Sequence, residues 1–109
     1  MYKTIQIADK EVEMLANGIS AFVYWDVFHE DFILQSQKPE VSPHIFEKLG
    51  FVFAKQAEIG GDWEKLTKLS QKDFYEWMSQ FEPMDVLNAS DEIMQLYVQQ
   101  SGGGSKPKK

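Results

Sequence analysis

The sequence contains no cysteine and no arginine. Without cysteine there is no disulfide framework, thiolate metal site or thiol nucleophile, a pattern that suits a cytosolic protein. Without arginine the chain lacks the commonest reader of bases and phosphates. Long apolar runs are missing too: none approaches the roughly 20 residues needed to cross a bilayer. The N-terminal Met1-Tyr2-Lys3-Thr4 leads into alternating polar and apolar residues rather than the apolar core of a signal peptide. No membrane partner is therefore expected. Glycine is sparse; Gly60-Gly61 and Gly102–Gly104 do not form a phosphate-binding loop behind a strand.

What is present is acid and aromatic surface. The 109 residues carry 17 Asp and Glu against 11 Lys, a formal charge of −6. Three of the lysines, Lys106, Lys108 and Lys109, lie in the last four residues. Residues 1–101 thus hold 8 Lys against 17 acids, a net of −9. An acidic, arginine-free body argues against nucleic acid as a ligand and leaves proteins as the expected partners. Hydrophobic residues make up 43% of the chain, enough for the core of one domain. The aromatic set, 8 Phe, 4 Tyr and 3 Trp, is large for so short a chain, and any part of it left exposed and contiguous would mark an interface.

Residues 3–15 alternate in polarity, with Ile5, Ile7, Val12 and Leu15 on the apolar side, and read as a β-hairpin of about 3–8 and 11–15 around a turn at Ala8-Asp9-Lys10. An isolated hairpin is marginal in water, so it must lie on helices or pair with a partner. After the break at Asn17-Gly18, Ile19 to Phe28 is apolar on almost every side if helical, as befits a central core helix or a segment covered by a partner. Ser42-Pro43 predicts a helix start, with Ser as N-cap and Pro at the first position. Phe46, Leu49, Phe53 and Ala57 continue it to Gly60-Gly61, a span of about 43–59. Trp63, Leu66 and Leu69 allow a short helical turn. Ser70 and Asp73 resemble a capping box ahead of the stripe Phe74, Trp77, Met78 and Phe81. The residues from Pro83 to about 100 suit one helix, or two if Ser90-Asp91 restarts it. The Gly/Ser/Lys segment 102–109 has the composition of a flexible coil. The expected fold is therefore mainly α, about four helices with a small N-terminal β-hairpin, in one compact domain over 1–101 followed by a disordered tail.

Chemistry-bearing constellations are few. His29-Glu30-Asp31 is the one tight cluster of potential metal or acid–base groups, and His44 lies in another helix. Two histidines with scattered carboxylates match no zinc spacing, and a polar helix end beside a loop accounts for the cluster. Carboxylate neighbours such as Glu11 and Glu13 read as solvated. No serine sits in a nucleophile elbow. No enzyme, metal or cofactor is expected. The stripe Phe74/Trp77/Phe81 has two readings, a partner-binding face or a core stripe, and helical spacing of this kind is more often core.

The order of features resembles the short tail assembly chaperones of siphophages and prophages of Gram-positive bacteria. Those begin with a short hairpin, then a helix bearing Tyr, a few residues, Phe-Gly-x-Asp and an apolar pair. The matching stretch here is Tyr24-Trp25-Asp26-Val27-Phe28-His29-Glu30-Asp31-Phe32-Ile33-Leu34. Next comes a helix of the pattern Leu-x-Phe-x-Phe-Ala-Lys-x-Ala, matched by Leu49 to Ala57, then a Trp- and Phe-bearing helix and a closing helix. The likeness covers about residues 3–100. His29 departs from the pattern, standing where it carries Gly. Where such a glycine takes positive φ, His is a tolerated but poorer choice.

The resemblance implies a non-catalytic chaperone of tail morphogenesis in the host bacterial cytoplasm, absent from the mature virion. It would bind the tape measure protein, with self-association possible, while a longer form made by ribosomal frameshifting would recruit tail tube protein. Pro107-Lys108-Lys109 can be encoded as CCA AAA AAG, which holds a slippery A AAA AAG heptamer. Phe22, Tyr24, Trp25 and Phe28 are the residues singled out for the protein interface. Two other readings stand beside this one. An acidic phage-encoded inhibitor or DNA mimic would array its carboxylates on one continuous face. An enzyme built on His29 and Asp31 would lose activity, and not fold, on His29→Ala.

Overall fold

The computed structural model describes residues 2–98, so the expectations for the 102–109 tail and for the last residues of the closing helix lie outside it. The chain is mainly helical with an N-terminal antiparallel hairpin, as the sequence predicts. Strands β1 (Tyr2–Ile7) and β2 (Lys10–Leu15) pair in register from Tyr2↔Leu15 to Ile7↔Lys10. Lys10, expected in the turn, instead opens β2, leaving Ala8-Asp9 as a two-residue turn. Ala8 takes φ 57°, the left-handed conformation that a tight hairpin demands of its first turn residue. Ile5, Ile7 and Met14 face inward and are buried, while Tyr2, Thr4, Gln6, Glu11 and Glu13 face water.

Among the described residues seven helices follow: α1 (Ser20–Phe28), α2 (Phe32–Ser36), α3 (His44–Ile59), α4 (Trp63–Thr67), α5 (Gln71–Met78), α6 (Asp85–Asn88) and α7 (Ser90–Val98). The excess over the expected four comes from short helices. α2 separates from α1 because His29 turns left-handed, φ 57° and ψ 36°, and Asp31 then caps a new helix by accepting from the Leu34 N–H at 3.1 Å. α4 is the turn that Trp63 and Leu66 allow, capped by Asp62. The 83–100 segment divides at Ala89, with Ser90 as restart. The Ser90 hydroxyl donates to the Leu87 carbonyl, a local bond that competes with the helical ladder. α3 begins at His44, one residue later than Ser42-Pro43 suggests. The Ser42 hydroxyl still accepts from the His44 N–H, at 3.3 Å. Gly60 ends α3 at φ 74°. At α5 the Asp73 carboxylate accepts from the Ser70 N–H at 2.9 Å, the back-bond of the expected capping box.

α3 is the axis of the molecule. It packs on β2, α1, α6 and α7, and Leu49, Phe51, Val52 and Phe53 are wholly buried. Fully burying each such side chain contributes about 1.5–3 kcal/mol. Gly50 lets α7 come close: a Cβ there would stand 2.9 Å from the Ile93 Cδ1. Phe51 meets Phe28, Phe74 and Trp77 edge-on, with centroids 6.1, 5.5 and 5.9 Å apart. The stripe Phe74/Trp77/Phe81 thus serves the core, Trp77 buried and the two phenylalanines half-buried against it.

Candidate protein-binding surface

α1 carries two stripes. Ser20, Val23, Tyr24, Val27 and Phe28 recur at helical spacing and are buried. Gly18, Ala21, Phe22 and Trp25 recur at the same spacing one face over, and Phe22 and Trp25 are 70% and 52% exposed. The uniformly apolar sequence of α1 is therefore a core stripe overlaid on a surface stripe. The four residues singled out from the sequence do not act as one group. Phe22 and Trp25 face solvent, whereas Tyr24 is wholly buried, which takes it out of any preformed contact surface, and Phe28 is nearly so and borders a different hollow, with His44, Lys48 and Phe74.

The exposed stripe forms one wall of a hollow. Gly18, Ala21, Phe22 and Trp25 line it together with Asp31 and Ile33 from the α1–α2 junction, enclosing about 490 Å³. Leu34, the next residue of α2, is 61% exposed, and Ile33 is 45% exposed. A smaller hollow of about 200 Å³ shares Gly18, Ala21 and Ile33 and runs on to Tyr97 of α7. Sequence reading did not single out Ile33, Ala21 or Gly18. The signal was there: an 18/21/22/25 spacing that repeats the core period in a second phase.

Buried and half-buried polar bonds hold this surface in place. The Tyr24 hydroxyl donates to the Glu30 Oε1 at 2.7 Å, and the Lys48 ammonium donates to the same oxygen at 3.0 Å. Lys48 also stands 5.3 Å from the Phe28 ring centroid. Burial pushes the Glu30 carboxyl up, but the Tyr24 hydroxyl and the Lys48 ammonium outweigh it and hold the group below its ordinary value. Burial, with the Glu30 carboxylate beside it, drives the Tyr24 hydroxyl far above the usual phenol range. Glu30 thus clips the left-handed turn at His29 to α3. A second set of bonds fixes the entry to α1: Ser20 Oγ donates to Gln56 Oε1 at 2.7 Å, and Gln56 Nε2 donates to Asn17 Oδ1 at 2.9 Å.

The His29-Glu30-Asp31 cluster is divided among separate tasks. His29 occupies the left-handed position with its side chain exposed, Glu30 makes the clip, and Asp31 caps α2. Among the described residues no three His, Asp or Glu side chains are grouped so as to hold a metal ion, and no helix is long and apolar enough to cross a membrane. His44 pairs with Glu47 at 2.5 Å in the first turn of α3. No protein-family model, curated protein or solved structure matches the chain.

Proposed function

We propose that the chain is a non-catalytic tail assembly chaperone that binds the tape measure protein of a long-tailed phage in the host cytoplasm. The observation that carries the reading is the pair Phe22 and Trp25, held open to solvent beside Ile33 on a rigid helix of an acidic body. Exposing two large aromatics next to one another is costly for a small domain unless another protein covers them. The net negative remainder keeps a complex with an aggregation-prone helical client in solution. Many copies of modest affinity along such a client release readily as tail tube protein polymerises around it, and a longer frameshifted form would recruit the tube subunits. The ordered features resembling the family, from hairpin to closing helix, supply the choice of client.

The experiment is co-expression with the tape measure protein of the same phage. The chain is expected to raise the soluble fraction of the client, and the double substitution Phe22→Ser/Trp25→Ser to abolish that gain while leaving the fold intact by circular dichroism. A client equally insoluble with and without the chain overturns the proposal. A client solubilised equally by the double variant moves the interface elsewhere.

A further inference from the structure

We infer that the free edge of β2 is a second docking site, which takes an extended, lysine- or arginine-bearing strand of a partner protein. The hairpin is a two-stranded sheet, so each strand has one edge without a strand neighbour. Ile7 and Lys10 flank the two-residue turn and form the closing hydrogen-bonded pair of the ladder. Alternation then turns the N–H and C=O of Lys10, Val12 and Met14 toward β1, and those of Glu11 and Glu13 away from it. Among the described residues no other hydrogen bond reaches the main chain of Glu11 or Glu13. β1 lies against α6 and α7 and β2 against α3; residues of β2, and none of β1, line an open groove of about 640 Å³ together with residues of α3, α5 and Gln80.

The lining of the groove has the chemistry to receive a third strand. Ala54, Ala57 and Trp77 line it with small and apolar groups on which every second side chain of an added strand would rest. Glu11 and Glu13 of β2 and Asp73 and Glu76 of α5 also line it. Two lysines also line it, and one of them, Lys55, is occupied with Glu58 at 3.4 Å. No ion pair engages Glu11, Glu13 or Glu76 among the described residues. Unpaired carboxylates along an unpaired strand edge select a cationic strand over an acidic one, by main-chain pairing for affinity and by charge for choice of partner. This site lies apart from Phe22 and Trp25, so its fate and that of the chaperone proposal are separately decided.

The test is an NMR titration of the full chain with a capped synthetic peptide of alternating lysine and valine, beside the same peptide carrying glutamate for lysine. The lysine peptide is expected to slow amide exchange at Glu11 and Glu13 and to bind about tenfold more weakly at high ionic strength. Glu13→Pro deletes one outward N–H without touching a hairpin bond and is expected to weaken binding about tenfold. Glu11→Lys/Glu13→Lys keeps the main chain and is expected to reverse the preference between the peptides. Equal binding of the two peptides overturns the inference. So does binding that perturbs residues outside the groove, or an unchanged preference in the double lysine variant.

Discussion

The Ser20 hydroxyl donates to the side-chain oxygen of Gln56 at 2.7 Å, across 36 residues of sequence and inside the core. Both residues are buried, and both use their remaining polar atoms: Ser20 Oγ accepts from the Asn17 N–H at 3.0 Å, and Gln56 Nε2 reaches Asn17. The link between hairpin and α1 is thus fastened to the last turn of α3. Among the described residues no buried side-chain nitrogen or oxygen lacks a partner. Removing one member of such a set leaves the others desolvated and unpaired. Gln56→Leu is expected to cost about 2 kcal/mol, read as a lower urea midpoint at unchanged slope. Ser20→Ala should cost about as much, and the double variant less than the two costs added together.

His29 sits at φ 57° and ψ 36° with an exposed side chain, a conformation in which a Cβ is strained and glycine is not. His29→Gly is expected to raise stability by about 1 kcal/mol, and His29→Val to lower it by at least that much. Thermal unfolding of the three proteins side by side checks the order. If glycine were the least stable of the three, left-handed strain would not be what His29 contributes.

The left-handed turn at His29 was anticipated only through the resemblance, whose pattern carries Gly there; no local signal in this chain's own residues marks it. The hairpin, α3 and α5 were legible for local reasons: alternation around Ala8-Asp9, a Pro start with a Gly stop, and the Ser70–Asp73 capping pair all act within a few residues. The division of α1 was not. Phe22, Tyr24, Trp25 and Phe28 are alike as apolar letters, and only the placement of α3 decides which face is covered. The Ser20–Gln56 and Tyr24–Glu30–Lys48 bonds join residues far apart in sequence, so no local pattern announces them.

Glu30 makes stability depend on pH. Its carboxyl is held below its ordinary value in the folded chain, so the folded state gains from the ionised form. That gain is present above the unfolded carboxylate's pKa and is lost as pH falls through the folded one. Wild-type stability is therefore expected to drop on acidification through and below the usual carboxylate range. Glu30→Gln should be about 1 kcal/mol less stable near neutrality, with the gap to wild type closing as pH falls. A constant gap across the acid limb would show that the Tyr24 and Lys48 bonds do not depend on the charge of Glu30.

The split within α1 gives four substitutions contrasting expected outcomes. Phe22 buries little of its surface and Trp25 about half, so serine should cost about 0.5 kcal/mol at Phe22 and about 1–2 kcal/mol at Trp25, below the cost at the core positions. Tyr24 packs on Phe28 and Phe32 with centroids 5.1 and 5.4 Å away, and its hydroxyl belongs to the Glu30 clip. Phe28 meets Phe51 and Phe74 edge-on. Tyr24→Ser and Phe28→Ser should each cost about 3–5 kcal/mol, a large share of the stability of a domain this size. Urea unfolding measures all four. The contrast bears on any binding assay: lost client binding in Tyr24→Ser or Phe28→Ser reports a damaged fold, whereas the same loss in Phe22→Ser or Trp25→Ser, with the fold retained, reports a contact.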